Sequence, residues 1–470
     1  MNLFDAMTIA NTDATTTNGA VTLPTSTSKI VDFFYLLGAM RTSGEDTIIN
    51  SFSAALGEDF LITVRSLFYA RDIRGGQGER NLFKVCMKYM ANAPVYRHLV
   101  EKNLHLVPIY GRWDDMTCFA GTAMESKAMA LWAEAILSGD GLACKWAPRE
   151  SSSKAAIAKL LMAHTKMSPK SYRKHLAQNT KVVESHMCSG SWSDINYGHV
   201  PSVAMKNYRK AFESHSPEKW ASYMSSLSSG SAKINSAALF PVDLVKAALK
   251  DYSESLDHQW NSLPNFMSEA SGNNLVVADT SGSMYTNASV QPIEVSIALA
   301  LYISERNNGI YKNKFITFSE NPQIQTIFGA NLQEKVGNLQ SSNWGMSTNL
   351  QKTFDLILKS AVDAKIPQSE MPNNILIISD MEFNQCGSVS TNYELIKQKF
   401  AANGYDMPKI IFWNVNGRIG NVPATKNDYV NLVSGYSPSI CKFVLNGTTP
   451  QPMDAVLAVV NSDRYSLVTV

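Results

Sequence analysis

The sequence predicts a two-part protein: an all-helical first half of paired helices in a ring or solenoid, and a second half built on a mostly parallel β-sheet covered by helices on both faces. Three observations carry this reading. Apolar residues recur at i, i+3, i+4 and i+7 through residues 28–265. From residue 272 onward, apolar strands alternate with helical stretches, the pattern of a helix-covered parallel sheet. Between them, "WNSLPNFMSEASGN" at residues 260–273 gathers Pro, Ser, Gly and Asn, the composition of a junction.

Taken in order, residues 1–27 are rich in Thr, Asn, Ala and Ser and are expected to form a flexible lead-in. In "SKIVDFFYLLGAMR", Ile30, Phe33, Phe34 and Leu37 share one helix face. The same spacing returns in "FLITVRSLFYARDI", "NLFKVCMKYMA", "AMALWAEAILSG", "KAAIAKLLMAHT", "PSVAMKNYRKAF" and "PVDLVKAALKDY". Beyond the junction, "NLVVAD" is a strand and "PIEVSIALALYISERN" opens with Pro at a first-turn position, as helices do. Strands are expected at "KFITFS", "PQIQTIF", "NNILIISD" and "KIIFWNVN", with helices at "NLQKTFDLILKSAVDA", "NYELIKQKFAANG" and "PMDAVLAVVNSD". The expected domains are therefore 28–265 and 272–470.

A chain of 470 residues exceeds what one hydrophobic core organises, and 45% hydrophobic with 17% charged residues is the balance of a globular protein. No apolar run approaches the roughly 20 residues of a membrane-spanning helix, and the N-terminus lacks the pattern of a secretion signal. Six scattered cysteines without a C-x-x-C pair fit reduced thiols in a cytoplasmic protein. The net charge of +2 conceals an asymmetry: residues 151–250 carry 14 Lys+Arg against 5 Asp+Glu, residues 271–470 carry 14 against 15.

The second half carries the most specific chemistry. "VVADTSGSM" runs off a strand into Asp279, Ser281 and Ser283; "NWGMSTNL" supplies Thr348 before a helix, and "IISDMEF" supplies Asp380 at the end of a core strand. In open parallel sheets, such strand-end loops meet at the ligand-binding edge. Two carboxylates and three hydroxyls are hard oxygen donors, suited to Mg²⁺, with Mn²⁺ or Ca²⁺ as alternatives, rather than zinc. A set this poor in charge leaves a bound ion electrophilic, ready to take a carboxylate from a partner. Simple helix capping by Asp279 and the serines leaves the Thr348 and Asp380 segments unexplained. No histidine follows His258 to serve a Ser-His-Asp triad, and the turn lacks the phosphate-binding G-x-x-x-x-G-K-[ST] pattern. A metal-dependent nuclease would need more carboxylates at the ion.

The pattern D-x-S-x-S at Asp279, Ser281 and Ser283, followed by Thr348 and Asp380, resembles the metal-ion-dependent adhesion site of the Rossmann-like von Willebrand factor A domain. The resemblance covers residues 272–470. It implies direct coordination by Ser281, Ser283 and Thr348, with Asp279 and Asp380 acting largely through water.

In the first half, "ARDIRGGQGERNLF" sets Arg71, Arg74 and Arg80 around a glycine break, and "YGRWDDM" adds Arg112. Lys170, Arg173, Lys174, Lys181, His186, Lys206, Arg209 and Lys210 then fall among aromatic residues, a mixture that neutralises phosphates and stacks on unpaired bases. Arginines beside Asp72 and Glu79 also suit structural ion pairs, and lysines on an amphipathic helix keep one face wet. An all-helical part with these "RDIRGGQGER" and "YRK" elements, followed by a von Willebrand A domain, resembles the TROVE proteins, among them the Ro ribonucleoprotein autoantigen. That resemblance implies a helical ring binding single-stranded or small structured RNA. The expected function is a non-enzymatic, cytoplasmic RNA-binding scaffold whose metal site engages an acidic residue of a protein partner or of its own chain. The alternative is a protein-interaction and assembly module that uses the metal site without nucleic acid.

Overall fold

A computed structural model describes residues 14–180, 182–286, 288–318, 321–341, 349–384, 392–426, 428–445 and 451–470. The chain divides into two compact units, one of residues 1–42 with 233–461, the other of residues 43–232 with 462–470.

The first unit is built on a six-stranded sheet. Its strands are β3 (Asn274–Asp279), β4 (Lys314–Phe318), β5 (Ile324–Thr326), β6 (Asn374–Ser379), β7 (Lys409–Asn414) and β8 (Val430–Ser434), in the spatial order β5-β4-β3-β6-β7-β8. All neighbours are parallel except β4 and β5. Every residue of β3, β6, β7 and β8 is buried, which is why the first three read as unbroken apolar runs. The helix Pro292–Arg306 buries twelve of its fifteen residues. A short antiparallel hairpin, β1 (Ala14–Thr15) and β2 (Val21–Thr22), also belongs here.

Three segments depart from the expected division. The helix Lys29–Leu36 packs on β8, and Gly38 lies so close to the Gly435 backbone that a Cβ would stand 2.1 Å from its Cα. The helices Pro241–Lys250 and Glu254–Asn261 join the sheet unit through Lys246 with Glu294 at 2.9 Å and the Trp260 indole donating to Glu305 at 2.6 Å. Residues 462–470 instead return to the helical unit, where Asn103 Nδ2 donates to the Thr469 carbonyl at 2.6 Å. Residues 14–27, expected as flexible lead-in, hold the hairpin and a hydrogen-bonded approach to the first helix. The composition that reads as a linker is here spent on side-chain hydrogen bonds.

The second unit is helical. Among its helices, Glu45–Glu58, Phe60–Arg71 and Asn81–Asn92 pack on one another, Glu125–Leu137 packs on Ala155–Thr165, and Ser202–His215 on Pro217–Ser228. No helix of the described residues is long and apolar enough to cross a membrane.

Candidate metal centre

Strand order reverses at β3, with β4 on one side and β6 on the other. Such a reversal opens a crevice beyond the carboxyl ends of the strands. Ala278 is paired with Ile378, so Asp279 stands beside Ser379, whose hydroxyl donates to Asp279 Oδ2. The Ser281 amide donates to Asp279 Oδ1 at 2.8 Å, closing a tight Asx-type turn. That turn brings the Ser281 and Ser283 hydroxyls within 3.0 Å of each other. Asp380, the first residue beyond β6, accepts from the Ser283 hydroxyl and, through Oδ1, from the Glu382 amide at 3.2 Å.

The structure thus brings together four of the five expected ligands. Thr348 lies outside the described residues. Asp279 is fully buried and Asp380 nearly so, whereas Ser283 is exposed. Burial, followed by the charge of Asp380, raises the Asp279 carboxyl above its usual range; burial likewise raises Asp380. Thr280 Oγ1 and the Tyr35 hydroxyl are buried without hydrogen-bond partners, and the Asp380 charge adds to burial in raising the Tyr35 phenol. Among the described residues, no group of three or more His, Cys, Asp or Glu gathers as a metal cluster. The donor set is two close carboxylates and neighbouring hydroxyls, a hard-oxygen combination that suits Mg²⁺, Mn²⁺ or Ca²⁺.

The sequence reading missed the rim of this site. Glu382 accepts from Arg418 Nε at 2.7 Å and from the Thr17 amide at 2.6 Å. Asn18 Nδ2 donates to the Glu382 carbonyl and Thr16 Oγ1 to the Phe383 carbonyl, each at 2.6 Å. The Asn18-Gly19 pair between threonines and valine was the available signal, since such a dipeptide marks hairpins.

In the helical unit, several residues expected at RNA have structural work. Arg71 is 1% exposed and its Nε donates to Asp115 Oδ2 at 2.7 Å, with Nη2 at 2.6 Å, so it offers no surface to a ligand. Asp115 also accepts the Arg112 amide at 2.9 Å. Asp72 takes Arg464 Nη2 at 2.7 Å and the Tyr465 hydroxyl at 3.0 Å. The "RGGQG" glycines serve packing: a Cβ on Gly76 would stand 1.9 Å from the Tyr69 carbonyl oxygen. Arg209 is buried and donates to the Lys206 carbonyl at 2.6 Å, and Arg173 pairs with Glu150 at 2.7 Å. Arg112 is half-buried with its guanidinium 4.8 Å from the Trp146 ring centre. Arg74, Arg80, Lys170, Lys174, His186 and Lys210 are exposed, Lys206 is half-buried, and Lys181 lies outside the described residues. One aromatic feature was not singled out in the sequence: Trp192 stacks on exposed His215 with centroids 4.3 Å apart and planes within 10°.

Fold and site together define a two-unit protein, one unit helical and the other a mostly parallel sheet with acids and hydroxyls gathered at the strand ends of its topological switch. The chain belongs to the family of the uncharacterized protein L728 of Acanthamoeba polyphaga mimivirus, with 30% identity over 504 aligned residues that cover 94% of this chain and 86% of that protein. Two family models match, the domain of unknown function DUF2828 over residues 16–98 and 133–275 and the domain of unknown function DUF7788 over residues 273–464. Among solved structures, the chain is similar to the crystal structure of the Deinococcus radiodurans RO (RSR) protein, at 14% identity and a TM-score of 0.45, covering 92% of this chain and 99% of that one.

Proposed function

We propose that this protein is a non-enzymatic binding scaffold whose sheet unit docks an acidic group through a divalent cation and whose helical unit carries RNA. One observation bears most of the weight. Asp279 and Asp380 are buried close together at a strand-order switch, with the Ser281 and Ser283 hydroxyls beside them. Two like charges brought out of water repel, and the cost is relieved by a proton on one of them or by a cation between them. Asp279, Ser281, Ser283 and Asp380, with Thr348, would hold the ion. When bound, it supplies an electrophilic coordination position for a carboxylate. Exposed Ser283 lies on the side a partner reaches. Mg²⁺ titration by calorimetry tests this, with Asp279→Ala expected to weaken binding while the domain stays folded; an unchanged titration would overturn it.

The RNA part rests on the excess of Lys+Arg in residues 151–250, the exposed cations of that segment, and the Trp192–His215 stack as a surface for an unpaired base. Filter binding of single-stranded RNA should show affinity that falls with salt. The second reading, an assembly module without nucleic acid, draws on a specific observation as well: Arg71 and Arg209 are buried on partners within the protein, and Arg173 pairs with Glu150. Absent affinity, or affinity indifferent to salt, selects that reading.

A further inference from the structure

The loop that follows Asp380 is tied down at every backbone carbonyl from residue 381 to residue 383. Asn421 Nδ2 donates to the Met381 carbonyl at 3.0 Å, Asn18 Nδ2 to that of Glu382 and Thr16 Oγ1 to that of Phe383, both at 2.6 Å. Gly19 and Asn384 form an antiparallel bridge, and Leu23 bridges Val422. Met381 sits at a φ of +66°, a left-handed conformation that a residue with a Cβ holds only where its surroundings dictate it.

Glu382 joins the two sides. Its carboxylate, 8% exposed, accepts from the Thr17 amide at 2.6 Å, Arg418 Nε at 2.7 Å and Nη2 at 3.2 Å, and Asn421 Nδ2 at 3.3 Å. Its own amide donates to Asp380 Oδ1 at 3.2 Å. Two hydrogen bonds therefore connect the hairpin backbone to the carboxylate at the metal turn. We propose that the hairpin β1–β2 is a clamp that sets the Asp380 carboxylate in its metal-binding position, with Glu382 as the positioning residue between them.

This rests on the metal reading above and extends it. The contacts go to the loop beyond β6 rather than to the strand, so the clamp acts on the ligand's orientation. Outer groups that orient a metal ligand change affinity by about 10–100-fold when removed. Coupling between two sites is reciprocal, so an ion at the turn should also quieten the hairpin.

The experiment uses the full-length protein with Mn²⁺ alone as probe, read by electron paramagnetic resonance, and hydrogen exchange over residues 14–22. Addition of Mn²⁺ to the wild type should slow exchange in the hairpin. Glu382→Ala and Thr17→Pro should each weaken Mn²⁺ binding by about tenfold or more and uncouple the hairpin from the ion. Glu382→Gln, which keeps an acceptor for the Thr17 amide, should recover part of the affinity. Arg418→Ala, at a side chain 56% exposed, gives a milder variant should the others fail to fold. Wild-type affinity in these variants, or hairpin exchange indifferent to Mn²⁺, overturns the clamp and leaves the metal reading standing. A wild type that takes up no Mn²⁺ overturns both.

Discussion

Each unit buries several acids, and two from each are treated differently. In the helical unit, Asp115 meets the Arg71 guanidinium, and Asp72 meets Arg464 and Tyr465. At the sheet edge, Asp279 and Asp380 lie close with serine hydroxyls and amides around them, and burial raises both. A buried acid with its own cation is finished as structure. Two buried acids that share hydroxyls and amides but no guanidinium keep room for a cation, which is why the proposed binding site falls at the strand ends and not at the arginine pairs.

The largest expected effect tests the finished side. Arg71→Met leaves buried Asp115 with only Lys84, 3.5 Å away, as its cation, and removal of one member of a buried pair costs up to about 3–5 kcal/mol. Urea denaturation should report a loss of that size; a loss near zero would break the distinction between the two regions. Next comes the sheet edge. Saturating Mg²⁺, at about a hundred times the dissociation constant, should stabilise the wild type by about 2.7 kcal/mol and raise its unfolding temperature. Asp279→Ala should abolish the increment, with EDTA making the two proteins alike in response.

A buried lysine sharpens the comparison. Lys409 is 2% exposed, donates to the Val444 carbonyl, and is lowered to about 8 by burial alone. The unfolded chain, with its lysine near 10.5, holds the proton more tightly across this interval. Stability should therefore rise as pH climbs from about 8 toward 10.5, because the unfolded state binds more protons there. Lys409→Met should flatten that rise in a pH series of thermal melts. The smallest effect belongs to the helical surface. Lys170→Glu and Lys174→Glu, both on an exposed helix face, should leave stability within about 0.5 kcal/mol and reduce the salt slope of RNA binding by about 0.7 for each phosphate no longer neutralised.

Legibility in the sequence followed the range of the interactions. Strands β3, β4, β6 and β7 were readable because buried parallel strands are continuous apolar runs. Strand β8, "VNLVS", was missed because Asn and Ser interrupt its apolar residues, although all five are buried. The helix Leu332–Gln340 was also missed, with only Leu332, Val336 and Leu339 buried on its inner face. The hairpin passed for a flexible lead-in because its threonines and Asn18 find partners more than 360 residues away. Arg71 was read as an RNA contact because its partner, Asp115, lies 44 residues on.

By itself, the sequence determined the helical and sheet-forming halves, the strand ends, and the acids and hydroxyls placed on them, since periodicity and turn chemistry act over a few neighbouring residues. Only the tertiary structure decided which charges are neutralised and which are left facing one another. It also decided that residues 14–42 and 233–270 complete the sheet unit while residues 462–470 complete the helical one. Those outcomes depend on burial and on partners distant in the chain, and local spacing carries no record of either.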